Sequence, residues 1–253
     1  MLSRMNNNTE IIKEVRAAFV AMFNDVYSYV CDTYPNSGVH DLYTSRLFRR
    51  IMEWQESNSY FHIHEKHGFR QVGRGAARVG FEYKMKNGDV VAVKVDYRSD
   101  DDIECDRIGN AFDMMNHEAV INRFPDAKEL LVDTYGSFEL YDTMILVQEL
   151  MLLGIDYDGM YMNDENKLRR AAIASLSYDV VGNEWNYGYT KNGVLKVIDL
   201  DRLSNQKFNA YDSDHGIAAW RNFIAEKHLK ATTPKKPRAP RKPRIKKLTP
   251  VEA

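Results

Sequence analysis

The sequence predicts an α+β fold in two lobes: a mostly antiparallel sheet with one inserted helix, then a smaller helical part carrying a hairpin. Three observations predict it. Asn87-Gly88 and Asn192-Gly193 each separate two strand-like runs, a hairpin signal because both residue types accept positive φ. Apolar residues recur at helical spacing near both ends of the chain. The order of runs is helices, strands with one helix inserted, then helix, hairpin and helix, which suits α+β rather than a regular βα alternation.

The elements follow in chain order. Ile12, Val15, Phe19, Met22, Phe23, Val26 and Val30 mark a helix over 9–33, with Thr9 as N-cap and Pro35 beyond its end. Leu47, Phe48, Ile51 and Met52 mark a second helix over 44–57. From about residue 69 the pattern turns to strands, with "ARVGFEYKM" and "VVAVKVDY" joined by "KNGD". A helix is expected over 106–123, then strands in "ELLVDTYGSFELY" and "TMILVQEL". A helix over 164–177 precedes a hairpin of "YGYT" and "VLKVIDL", and a last helix fits 214–229. The expected organisation is therefore 1–60 N-terminal helices, 61–150 sheet part, 151–230 reduced helical part and 231–253 tail.

The chain has 253 residues, 44% hydrophobic and 28% charged, which is ordinary for a globular protein with a sizeable core. Cys31 and Cys105 lie far apart, so neither a disulfide framework nor a metal spacing follows, and a reducing cytoplasm is the expected compartment. No apolar run approaches the roughly 20 residues that span a bilayer. The net charge of −1 hides an asymmetry. Residues 231–253 contain eight Lys or Arg and one Glu. Interleaved with proline and nearly devoid of apolar residues, this tail is expected to be disordered, to solubilise the chain or to contact nucleic acid or an acidic protein surface by charge.

Chemistry concentrates in a few places. Gly73 and Gly75 fall in a turn between strands, where glycine lets backbone N–H groups approach phosphate oxygens. The third glycine of G-x-G-x-x-G is missing, and Arg78 stands in its place. No helix is expected directly after the loop, so a dinucleotide-binding βαβ unit is excluded. Lys94, in "VAVK", should point away from Val91 and Val93, a long cation in an apolar strand that needs a partner. Glu118 on the following helix is the expected one. Asn186 and Asp199 flank a short hairpin, either as metal ligands or as a solvated strand end. In "FHIHEKHGF", His62 and His64 would share one face of a strand as a candidate metal pair or as partly exposed side chains.

Gly73-Arg-Gly75, Val91-Ala-Val-Lys94, Glu118, "ILVQELM" and "NYGYTKNGVLKVID", taken in order, resemble the protein-kinase fold. "GRGAARVGFEY" and "NHEAVINRF" look most like the small host-shutoff serine/threonine kinases of tailed bacteriophages. The resemblance covers residues 69–201. It implies a two-lobed fold with an antiparallel N-lobe sheet and a reduced helical C-lobe, and it implies ATP and Mg2+ as cofactors. Gly73 and Gly75 would then cover the phosphates. Lys94 would bind phosphate and pair with Glu118, and Glu149 and Met151 would lie where backbone meets adenine. Asn186 and Asp199 would hold magnesium, with Asp201 a rival ligand. Protein Ser/Thr side chains, of host proteins in a host cytoplasm, would be the substrates.

The chain departs from the family pattern around its catalytic loop. The position five residues before Asn186 is Val181, and Asp179 can serve as catalytic base only if the loop carries two extra residues. Asn183 is an alternative metal asparagine. The D-F-G triplet reads Asp199-Leu200-Asp201, and no A-P-E follows. An active protein kinase, a pseudokinase acting as a binding or inhibitory module, a small-molecule kinase and a nucleic-acid binder working through its tail all remain open.

Overall fold

Helix α1 (Leu2–Thr33) buries Ile11, Val15, Phe19, Met22, Phe23, Val26 and Val30, a stripe spaced three or four residues apart along one helical face. The computed structural model describes residues 2–33, 61–74, 78–96, 109–141, 143–176, 186–200 and 210–232. The helix expected over 44–57 falls outside them. Thr9 is not a cap, because α1 begins earlier, at Leu2.

The stripe on α1 lies against a five-stranded antiparallel sheet made of β1 (Phe69–Arg74), β2 (Arg78–Lys84), β3 (Val90–Asp96), β4 (Thr134–Leu140) and β5 (Thr143–Glu149), in the order β1-β2-β3-β5-β4. Strand alternation explains which side faces the helix. Phe81 pairs with Val93, which pairs with Val147, and all three are fully buried in one core with α1. Gly80 pairs with Lys94, and Lys94 with Leu146, so the other face carries the lysine.

Both predicted hairpins form, but with a different turn. Only the glycine takes positive φ, 90° at Gly88 and 74° at Gly193. Gly88 N–H donates to Met85 O at 3.0 Å and Gly193 N–H to Thr190 O at 2.8 Å. The asparagines therefore stay in ordinary backbone, and the glycine alone supplies the left-handed residue that ends each turn.

Helix α2 (Phe61–Lys66) replaces the strand expected at the histidines. Two residues apart on a helix do not share a face. His64 is buried and sits edge-on to Phe81, whereas His62 meets Tyr29. Among the described residues no trio of His, Cys, Asp or Glu gathers as a metal-ligand set, so the His62–His64 metal pair is corrected to a packing role.

Helix α3 (Asn110–Arg123) crosses the lysine-bearing face of the sheet, and a 3-10 turn (Pro125–Leu130) leads back into β4. A second sheet pairs β6 (Leu152–Leu153), β7 (Tyr187–Tyr189) and β8 (Leu195–Val197). With α4 (Gly154–Tyr161), α5 (Asp164–Leu176) and α6 (Ala210–Thr232), it closes a second core around Val120, Leu130, Ile173, Tyr187, Val197 and Trp220. Gly188 is required there, since a Cβ would come 2.5 Å from the Leu152 carbonyl oxygen. Helix α6 runs through Thr232, and residues 233–253 lie outside the described residues. Among the described residues no helix is long and apolar enough to cross a membrane.

Candidate functional site

Lys94 is central to a buried charge cluster. Its Nζ donates to Asp113 Oδ2 at 3.1 Å and to the Ile198 carbonyl at 2.6 Å. The partner expected from the sequence was Glu118; the structure corrects this to Asp113, because Glu118 is exposed. The reason is helical phase. Asn110, Asp113, Asn116, His117 and Val120 form the buried face of α3, at the i, i+3, i+4 and i+7 spacing of one side. Residue 118 points about 140° away from residue 113 at 3.6 residues per turn.

Asp113 has several donors. Its Oδ1 accepts the Leu200 N–H at 2.9 Å, and Oδ2 also faces Arg78 Nη1 at 3.4 Å. Asn116 Nδ2 donates to the Leu200 carbonyl at 2.5 Å. Helix α3 and Lys94 thus hold the 198–200 backbone at three points. That fixes Asp199, whose carboxylate accepts a hydrogen bond from Arg78 Nη2. The Arg78 side chain is 9% exposed and that of Asp199 21%. Neither Arg78 nor Asp113 was given a role from the sequence. Arg78 was noticed only as a missing glycine, and Asp113 could have been found by following the Val120 face of the helix.

Asn186 and Asp199 do come together. The Asn186 carbonyl accepts the Ile198 N–H at 2.8 Å and the Asp199 N–H at 3.4 Å, extending the β7–β8 ladder by one rung past Tyr187↔Val197. Gly73 lies in β1 opposite Gly80 beside a bulge. Gly75, Asp179, Val181, Asn183 and Asp201 lie outside the described residues. Glu149 ends β5, and its carboxylate takes Lys196 Nζ at 2.9 Å while Asp133 shares the same ammonium at 3.2 Å. The Glu149 N–H is already given to the Asp133 carbonyl at 2.8 Å, so it is not free for a ligand. Met151 is buried.

The entry to α3 is pinned to the sheet. Asp96 accepts the Asn110 N–H at 3.0 Å, and Asn110 Nδ2 donates to the Lys94 and Met144 carbonyls at 2.8 Å each. Burial pushes the Asp96 carboxyl up to about 6 from 3.8, although the Asn110 N–H, Arg78 and Lys94 pull the other way. Burial, helped by the charges of His62 and His67, lowers His64 to about 4 from 6.5.

These two groups oppose one another in pH dependence. Asp96 has a raised folded value, so its contribution is full below about pH 4 and is lost as pH rises to about 6. His64 has a depressed folded value, so its contribution is present above 6.5 and is lost as pH falls to about 4. Each shift corresponds to about 3 kcal/mol. Urea unfolding at stepped pH should therefore find the Asp96→Asn variant losing about 3 kcal/mol between pH 6.5 and 4 relative to its neutral-pH value. His64→Phe should gain stability over the same interval, and the parent should change less than either. Parallel curves for all three proteins would contradict both assignments.

As a chemical device, the cluster brings two cations and two carboxylates together where two strands, a helix and a hairpin meet. A carboxylate such as that of Asp199 is a hard oxygen donor of the kind magnesium takes; here it accepts from Arg78, and the contact between Asn186 and Asp199 runs through backbone atoms. Comparison with protein-family models and with curated proteins finds no match for this chain, so its chemistry has to be read from Lys94, Asp113, Arg78 and Asp199 themselves.

Proposed function

We propose that this protein is an ATP-dependent phosphotransferase of the protein-kinase type, acting on Ser or Thr of host proteins. The observation that carries the reading is Lys94. A β3 lysine is tied to a carboxylate of the following helix and to the Ile198 carbonyl, one residue from Asp199. The strand order β1-β2-β3-β5-β4 with α3 on the lysine-bearing face agrees with it. In this reading Asp113 takes the role the resemblance gave to Glu118.

Lys94 binds nucleotide phosphate, and Gly73, at the end of β1, and Gly75 leave room for backbone to approach it. Asp199 and Asn186 hold the magnesium ion, which neutralises phosphate charge when bound. The backbone around Glu149 and Met151 meets adenine through groups other than the Glu149 N–H. Asp179 accepts the substrate hydroxyl proton. The choice of protein Ser/Thr substrates rests on the resemblance alone. A second reading, a pseudokinase that binds nucleotide without turnover, is favoured by one observation: the Asp199 carboxylate is already paired with Arg78.

The test is transfer of label from γ-labelled ATP with magnesium into a bacterial extract, with nucleotide binding measured alongside. The parent should transfer label, and Lys94→Met and Asp199→Asn should each lose about 10²–10³-fold. Asp179→Asn should lose transfer but keep nucleotide. Binding without transfer by the parent selects the pseudokinase. Absence of nucleotide binding overturns both readings.

A further inference from the structure

Arg78 invites a question the proposed activity does not use: why a buried guanidinium should cover a carboxylate meant for a metal. We propose that Arg78 is the resident counterion of Asp199, excluding a lone divalent cation and passing to a phosphate oxygen when the metal arrives with its nucleotide. The idea rests on the nucleotide reading above and adds an order to it.

Arg78 and Lys94 face Asp113 and Asp199, and Asp96 lies near enough to feel both cations. The Arg78 side chain is 9% exposed and that of Lys94 12%, so their charges are weakly screened. A divalent ion arriving alone at Asp199 would add two positive charges directly beside Arg78 and Lys94 in a largely desolvated place, which is unfavourable. A metal–triphosphate complex brings its own negative charge and presents oxygens to the displaced guanidinium. Arginine suits this exchange, because its planar fork binds carboxylate and phosphate with the same geometry. Its position suits it as well. Arg78 opens β2, and Gly73 and Gly80 pair across β1 and β2 beside it. Lys94 stays on Asp113 throughout, so the helix remains attached while Arg78 moves.

The experiment titrates Mn2+ by electron paramagnetic resonance into the full chain, first alone and then with a non-hydrolysable ATP analogue. The proteins are the parent, Arg78→Gln, Arg78→Lys and Asp199→Asn. The parent should bind Mn2+ alone poorly and tightly with the analogue. Arg78→Gln should bind Mn2+ alone at least about tenfold more tightly, and Mn2+ with analogue about tenfold more weakly, a narrowing of the gap by about two powers of ten. Asp199→Asn should lose Mn2+ in both conditions. Arg78→Lys keeps the charge without the fork, so it should still exclude Mn2+ alone yet bind the complex less well; it decides the matter if the glutamine variant does not fold by circular dichroism. Unchanged Mn2+ affinities in Arg78→Gln, or in Arg78→Lys should that be the only folded variant, would overturn the proposal and leave Arg78 a structural ion pair. Failure of the nucleotide reading has a different signature: no analogue binding by the parent at all.

Discussion

Asp113→Ala should destabilise the protein by about 3–5 kcal/mol, while Glu118→Ala should change it by no more than about 0.5 kcal/mol. Asp113 is fully buried and accepts from Lys94, Arg78 and the Leu200 N–H. Removing it leaves two cations with one carboxylate between them and strips a backbone donor of its acceptor, and both costs fall in a poorly hydrated place. Asp113→Asn separates them, since it can still accept the Leu200 N–H but no longer balances the lysine. It should recover part of the stability and, on the proposed function, none of the nucleotide binding. Urea unfolding of the four proteins, with nucleotide titration, checks the whole pattern. Equal effects at residues 113 and 118 would mean that Lys94 does not depend on this helix face.

Phe19→Ala should have a similar size, about 3–5 kcal/mol, although it lies far from any chemistry. Its ring is fully buried and meets Phe69 at 5.6 Å, Phe81 at 6.5 Å and Phe138 at 6.3 Å, all edge-on. Truncation would lose those pairs and leave a hole under three strands at once. Against a typical total of about 5–15 kcal/mol, a loss of that size leaves little. Glu10→Ala, which removes only an exposed pair with Lys13, is the control and should stay within about 0.5 kcal/mol of the parent. A small effect at Phe19 would show that the sheet can hold together without α1.

Elements governed by local rules were legible in the sequence. The glycine turns at 88 and 193 and the alternation that sets Lys94 against Val93 follow from one or two residues each, and the stripe on α1 follows from apolar residues recurring at helical spacing. What failed were choices settled by tertiary contact. Glu118 was the expected partner as an acid on the following helix, but the helix turns to bury Val120, and that rotation brings Asp113 inward. His62 and His64 read as strand by alternation, yet α2 forms because His64 packs on Phe81 in a core the local pattern does not reveal. Arg78 drew notice only as an absent glycine. Its meaning depends on Asp199, far along the chain, and no window of sequence contains both.

That distance has a consequence for how the protein comes into being. The bonds that shape the site join residues 121, 104, 87 and 84 positions apart. Contacts of such separation are the slowest to form, because a long loop must close before they repay its entropy. A growing chain can pair β1 to β5 and seat α1 well before residues 198–200 have been made. Until then the cations on β2 and β3 share Asp113 without Asp199 opposite. The charge cluster would therefore be completed in one late step as the β7–β8 hairpin docks, and a nascent chain arrested before that hairpin would be largely folded in its first sheet yet, on the proposed function, unable to hold a nucleotide.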